Sequence, residues 1–122
     1  MIEVIFDSSF LMALAETPTT WYEDLVEGLG KFEPIFLQCV KEELSRLASG
    51  SGKTARTATV ALDLASSFSI RPCGRAAVDD EILSAAASMG AVVATVDAEL
   101  LHSAKAARRK VVTLRRGRVA VA

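Results

Sequence analysis

Three short runs of almost unbroken apolar residues, IEVIF at 2–6, EPIFL at 33–37 and AVVATV at 91–96, punctuate a chain whose remaining apolar positions recur at helical spacing. Continuous runs of that length are what strands covered on both faces look like. Between them, residues 8–15, 20–29, 38–49, 54–67, 79–89 and 98–107 read as helices, with Gly30, Gly50 and Gly90 as stops. Residues 111–114 form a further strand, and after Arg115, Arg116 and Gly117 the run VAVA adds a short edge hairpin. Strands alternating with helices predict an α/β fold with a mainly parallel sheet. No internal repeat, linker or low-complexity tract interrupts the pattern.

The chain has 122 residues, 51% hydrophobic and 24% charged, the size and composition of one domain over 1–122 with a full core. No apolar run approaches the ~18 residues of a membrane span, and the first residues include Glu3 and Asp7 in place of a basic signal start, so no membrane contact and a cytosolic protein are expected. Cys39 and Cys73 lie far apart with no C-x-x-C, which reads as two buried reduced thiols in preference to a disulfide or a soft-metal site. The net charge of −1 conceals an asymmetry: residues 1–49 carry nine acids against three bases, and residues 50–122 six acids against eleven. From His102 onward there are seven Lys or Arg and no acid, a segment suited to phosphate contacts.

Four acids stand at element ends: Asp7 after the first strand, Glu43 in CVKEEL, Asp79 opening VDDEIL and Asp97 after the third strand. In open parallel sheets ligands bind beyond the carboxyl ends of the strands, so Asp7 and Asp97 should reach the same edge. On helix 38–49, at about 100° per residue, Val40, Leu44 and Leu47 define the buried stripe; Glu43 lies about 60° from Val40 and Glu42 points away. On helix 79–89, Asp79 falls about 60° from Ile82 within the apolar sector, whereas Asp80 and Glu81 turn outward. Asp79 and Asp97 are also placed to serve as N-caps or first-turn acids. Asp7, with only Ser8 and Ser9 beside it, has few ready satisfiers. In a chain with one histidine, gathered carboxylates point to Mg²⁺ or Mn²⁺, hard cations that take oxygen ligands. His102 itself reads as a surface helix residue.

Two other motifs fail on position. Gly50-Ser51-Gly52-Lys53-Thr54 ends like a phosphate-binding loop, but Leu47 stands where its first glycine belongs and a helix precedes it. It reads instead as a flexible basic loop flanking a cleft. A phosphorylatable receiver domain needs an Asp ending a mid-chain strand, and Asp63, the only acid between Glu43 and Asp79, sits in a helical stretch.

The four acids sit in motifs that resemble those of the PIN-domain nucleases: Asp7-Ser8-Ser9 after an apolar strand, Val40-Lys41-Glu42-Glu43-Leu44, Asp79-Asp80-Glu81-Ile82 and Thr95-Val96-Asp97. They occur in the family's order and cover nearly the whole chain. The resemblance and the helix-face argument choose the same members, Glu43 over Glu42 and Asp79 over Asp80.

The resemblance implies a three-layer α/β/α sandwich and a metal-dependent ribonuclease site. Asp7, Glu43, Asp79 and Asp97 would be its catalytic residues and Mg²⁺ or Mn²⁺ ligands, with Ser8 and Thr95 in support. The expected reaction is hydrolysis of RNA to 5′-phosphate and 3′-hydroxyl ends, with no protein nucleophile. Lys53, Arg56, Arg115, Arg116 and Arg118 are the expected RNA contacts. Two branches fit: toxins of toxin–antitoxin pairs, small and usually dimeric, and ribosomal-RNA-processing nucleases, to which the stretch VDDEILSAAASMGAVVATVDAEL is closer. The corresponding partners are an antitoxin, a ribosome-assembly factor or a second copy, and the stripe Trp21, Tyr22, Leu25, Val26, Leu29 is the candidate contact if part of it is exposed. The alternative is a non-catalytic PIN-like RNA-binding or assembly module.

Overall fold

The computed structural model describes residues 1–17 and 19–122. In chain order it contains β1 (Ile2–Phe6), α1 (Ser8–Glu16), α2 (Trp21–Leu29), β2 (Phe32–Leu37), α3 (Gln38–Ala48), α4 (Gly52–Leu64), β3 (Ser69–Arg71), α5 (Val78–Met89), β4 (Val92–Ala94), α6 (Ala98–Ala106), β5 (Val111–Arg115) and β6 (Arg118–Val121). All of the expected helices form, with ends within three residues of the pattern-based limits. No helix among the described residues is long and apolar enough to cross a membrane.

The strands make one sheet in the order β3-β2-β1-β4-β5-β6, parallel except for the β5–β6 hairpin. Right-handed crossovers put α1 to α4, which connect β1, β2 and β3, on one face and α5 and α6 on the other. Packing agrees: α1, α3 and α4 touch one another, α5 lies on β1 and β4, and α6 on β5. The result is the expected three-layer sandwich. Strand order reverses between β1 and β4, whose register pairs Val4 with Val92 and Phe6 with Ala94. That seam is the topological switch point, where the connections diverge to opposite faces and leave a crevice.

Val4, Ile5 and Phe6 in β1 and Val93 and Ala94 in β4 are fully buried, which is why these strands lack polar alternation. On the α1–α4 face, Phe6 meets Phe10, Trp21 and Phe68 at ring-centroid distances of 5.6, 5.6 and 4.9 Å. Ala55, Ala58 and Ala61 let α4 approach its neighbours closely. The aromatic cluster fixes the strand residue directly before Asp7.

Several expectations are corrected. Residues 50–53 do not form a flexible loop: Ser51 is the N-cap of α4 and Lys53 lies within it. Leu47 leaves the buried stripe of α3 and is 40% exposed, because the buried face there narrows to Val40 and Leu44. β3 was not anticipated; at three residues, only partly buried on the sheet edge, it has no apolar run to announce it. Cys39 and Cys73 are not free thiols but a disulfide. Each lies two residues beyond a strand end, and β2 pairs with β3 so that Leu37 stands opposite Arg71, which brings their Cα atoms to 5.9 Å.

Candidate active site at the carboxyl edge of the sheet

Asp7 follows β1 directly and its amide donates to the Ala94 carbonyl, continuing the β1–β4 ladder by one bond of 2.9 Å. Its own carbonyl accepts the Phe10 and Leu11 amides and starts α1, while its carboxylate makes no cap bond. The carboxylate is therefore available for other work, and it is only 4% exposed. Contrary to expectation it has satisfiers: Ser9 Oγ and Thr95 Oγ1 both donate to Oδ2, at 2.6 and 2.9 Å. Burial nonetheless pushes its pKa upward against these bonds, and the charge of Glu43 adds to the rise.

Thr95, fully buried after β4, is the node of this network. Besides bonding Asp7 it accepts the Asp97 amide at 3.0 Å and lies 3.2 Å from Ser9 Oγ, which in turn accepts the Val96 amide. The Ser9 role was not assigned from sequence, although a hydroxyl two residues beyond a strand-ending Asp is the available signal. Asp97 is the N-cap of α6, its Oδ1 accepting the Glu99 and Leu100 amides at 2.8 and 3.1 Å.

Glu43 is half-buried on α3 and Glu42 is exposed, as the helix phase requires. Ser8, the first residue of α1, donates to Glu43 Oε1 at 2.5 Å and ties α3 to the end of β1. Asp79 is a first-turn acid of α5, whose N-cap is Ala77, and it is more exposed than its 60° offset suggested. Its pKa is raised first by desolvation, then by the charges of Asp7, Asp97, Glu43 and Glu99. Asp79 thus senses all three other candidate acids, which places the four in one electrostatic field. Glu81 turns from this field to accept the Gly74 and Ala76 amides. Among the described residues, no three His, Cys, Asp or Glu side chains form a preassembled group able to hold a metal ion.

A family model described as a PIN like domain matches residues 4–118. The chain belongs to the PIN-like domain family. The solved structures agree with that membership in fold. The structure of the PIN domain endonuclease Utp24 superposes with a TM-score of 0.82 at 24% identity, over 98% of this chain and 90% of that one. A domain of a functionally unknown protein from Methanocaldococcus jannaschii gives 0.68 at 18% identity, over 94% and 92%. PAE2754 from Pyrobaculum aerophilum gives 0.54 at 26% identity, over 83% and 78%. No curated protein sequence matches.

The basic residues of this PIN-like domain divide between the two ends of the sheet. β5 runs parallel to β4, so Arg115 and Arg116 come to the same edge as Asp7 and Asp97, whereas Arg108, Arg109 and Lys110 precede β5 at the opposite edge. Arg116 and Gly117 form the two-residue hairpin turn, with φ of 52° and 76°. Asn or Gly normally fills the first of these positions, so a left-handed arginine there is a strained choice. Arg118 behaves differently from the other two. Its guanidinium grips Asp24 of α2 through two bonds of 3.0 and 2.8 Å, and the Val119 amide joins the same carboxylate. Lys53 and Arg56 are exposed on α4, and no hydrogen bond or ion pair among the described residues joins them to the acids. Of the α2 stripe, Leu25 is buried and Trp21 packs on Phe6, leaving Tyr22 and Val26 exposed.

Proposed function

We propose that this chain is a metal-dependent endoribonuclease whose active site consists of Asp7, Glu43, Asp79 and Asp97. What most supports the reading is that Asp7, Glu43, Asp79 and Asp97 approach the switch-point edge from β1, α3, α5 and the β4–α6 junction, with Asp7 buried, Glu43 tied to the end of β1 by Ser8, and Asp79 raised in pKa by desolvation and by the charges of the other three. The cost of an acid buried beside like charge is relieved by a proton or by a bound cation, and an all-carboxylate donor set suits Mg²⁺ or Mn²⁺. When bound, such an ion acidifies a water and neutralises charge on the phosphate.

The chain's own residues prepare the rest. Ser9 and Thr95 hold Asp7 in one orientation, and Ser8 holds Glu43. Asp97 spends Oδ1 on the α6 amides, which fixes where its other oxygen points. Arg115 and Arg116 sit at the same edge to bind flanking phosphates of an RNA chain, and Arg118 ties their hairpin to Asp24 of α2. Hydrolysis at this site leaves a 5′-phosphate and a 3′-hydroxyl. The structural likeness to a protein described as an endonuclease supports cutting as the activity.

The test is cleavage of mixed single-stranded and stem-loop RNA with Mn²⁺ or Mg²⁺, compared with EDTA and with Asp97→Asn, with the product ends mapped. Metal-dependent cutting lost in the variant supports the reading, and the cut sites then separate a processing enzyme from a toxin. RNA retention without cutting in any metal would replace it with a binding module.

A further inference from the structure

The disulfide lies where the site is built. Cys39 is the second residue of α3, one turn before Glu43 and on the same face of the helix. Cys73 closes the β3 end of the loop that leads into α5 and Asp79, and Glu81 binds that loop through Gly74 and Ala76. The two cysteines therefore join the Glu43 segment and the Asp79 segment at the carboxyl edge, across 34 residues of chain. α3 has no side-chain cap, and the Cys73 sulfur accepts the Cys39 amide at 3.3 Å in its place. Both residues are half-buried, so a small reductant can reach them.

We infer that the Cys39–Cys73 disulfide is a redox-sensitive positioning link that sets the spacing of Glu43 and Asp79, so that the oxidised protein binds divalent metal more tightly than the reduced one. A dithiol reverses the link. One thiolate of the reductant attacks a cysteine sulfur and displaces the other, and the second thiolate then releases the first cysteine. Two electrons and two protons pass to Cys39 and Cys73, and the reductant leaves as a cyclic disulfide. Without the link the β2–β3 ladder still aligns the strand ends before Cys39 and Cys73, but the loop beyond β3 that leads to Asp79 is no longer fastened to α3, and mutually repelling carboxylates spread. The inference rests on the metal site proposed above.

The test measures Mn²⁺ affinity by calorimetric titration of three samples: the air-oxidised protein, the same protein reduced with dithiothreitol and desalted without air, and Cys39→Ala/Cys73→Ala. A thiol count on the denatured, unreduced protein should find none free. The reduced protein should bind Mn²⁺ on the order of tenfold more weakly, the scale of effects exerted from outside the ligand set. The double variant should match it and ignore dithiol. An equal Mn²⁺ affinity in the two redox states, even with a lower melting temperature on reduction, would make the bond a structural staple and overturn the inference. Two free thiols in the air-oxidised protein would also overturn it. An absence of Mn²⁺ binding in the oxidised protein would instead remove the metal site and this inference with it.

Discussion

Thr95 holds Asp7 across the seam between β4 and β1: the threonine hydroxyl donates to Asp7 Oδ2 at 2.9 Å and accepts the Asp97 amide at 3.0 Å. One buried side chain therefore sets the angle of one candidate acid and the backbone of another. The first relation depends on no neighbour in sequence, since 88 positions separate Thr95 from Asp7, whereas Asp97 stands two residues beyond Thr95.

Thr95→Val keeps the shape and removes both bonds. It leaves the Asp97 amide without its partner and takes one donor from the buried Asp7 carboxylate, so unfolding in urea should show a loss of about 1–3 kcal/mol. RNA cleavage should fall by about 10–100-fold, as for other residues that orient metal ligands. Wild-type cleavage by a well-folded Thr95→Val protein would remove it from the site.

Asp7→Asn should reduce cleavage by about 10²-fold or more, the scale set by losing one preorganised electrostatic group. Its metal-free stability should move the other way. Because burial raises the Asp7 pKa above the unfolded value of 3.8, its ionised form opposes folding at neutral pH; as pH falls through the raised value the native state takes up the proton first and stability recovers. In EDTA the variant should therefore melt above wild type at pH 7, and the gap should close as pH approaches 3.8. A gap that is constant with pH would show that Asp7 is not desolvated.

Mn²⁺ should stabilise the wild-type protein by about 2.7 kcal/mol at a hundredfold excess over its dissociation constant. For a domain of this size that is a rise on the order of 10 °C in melting temperature. Scanning calorimetry of Asp7→Asn and Asp79→Asn should show most of the rise gone.

Arg115→Ala/Arg116→Ala should weaken binding to a single-stranded RNA that the EDTA-treated protein cannot cut. Two phosphate contacts correspond to a decrease of roughly 1.4 in the slope of log K against log salt. Arg118→Ala should leave that slope nearly unchanged, because its guanidinium is committed to Asp24. Equal slopes for the two variants would dissolve the distinction.

The Asp24 carboxylate, with a side chain 5% exposed, is held well below the usual range by the Arg118 guanidinium first and the Val119 amide second. A depressed pKa contributes stability above the unfolded value of 3.8 that is lost as pH falls below it toward the native value. Arg118→Ala should unfold at a higher pH than wild type in acid titration followed by circular dichroism. Coincident acid limbs would show the pair to be idle.

Most of the fold was legible because its strands are buried on both faces and its helices are amphipathic, both of which leave a period in the chain. Glu43 was separable from Glu42 by helix phase alone. What stayed illegible has no local signature. β3 is too short and too polar to form a run, and the Cys39–Cys73 bond follows from β2–β3 register, which periodicity does not encode. The division of the arginines was hidden for the same reason, since Arg115, Arg116 and Arg118 are near neighbours in sequence and only the hairpin and α2 give Arg118 its partner.

The order β3-β2-β1-β4-β5-β6 also governs when the proposed site can first assemble during synthesis. The first candidate acid is at position 7 and the last at 97, and the central seam between them pairs the earliest strand with one made late. A nascent chain leaving the ribosome N-terminus first carries Asp7 on a strand with no β4 beside it. Vectorial synthesis thus withholds the complete set of candidate acids until nearly the whole domain has emerged, and a fragment that stops before β4 lacks both Asp97 and the seam.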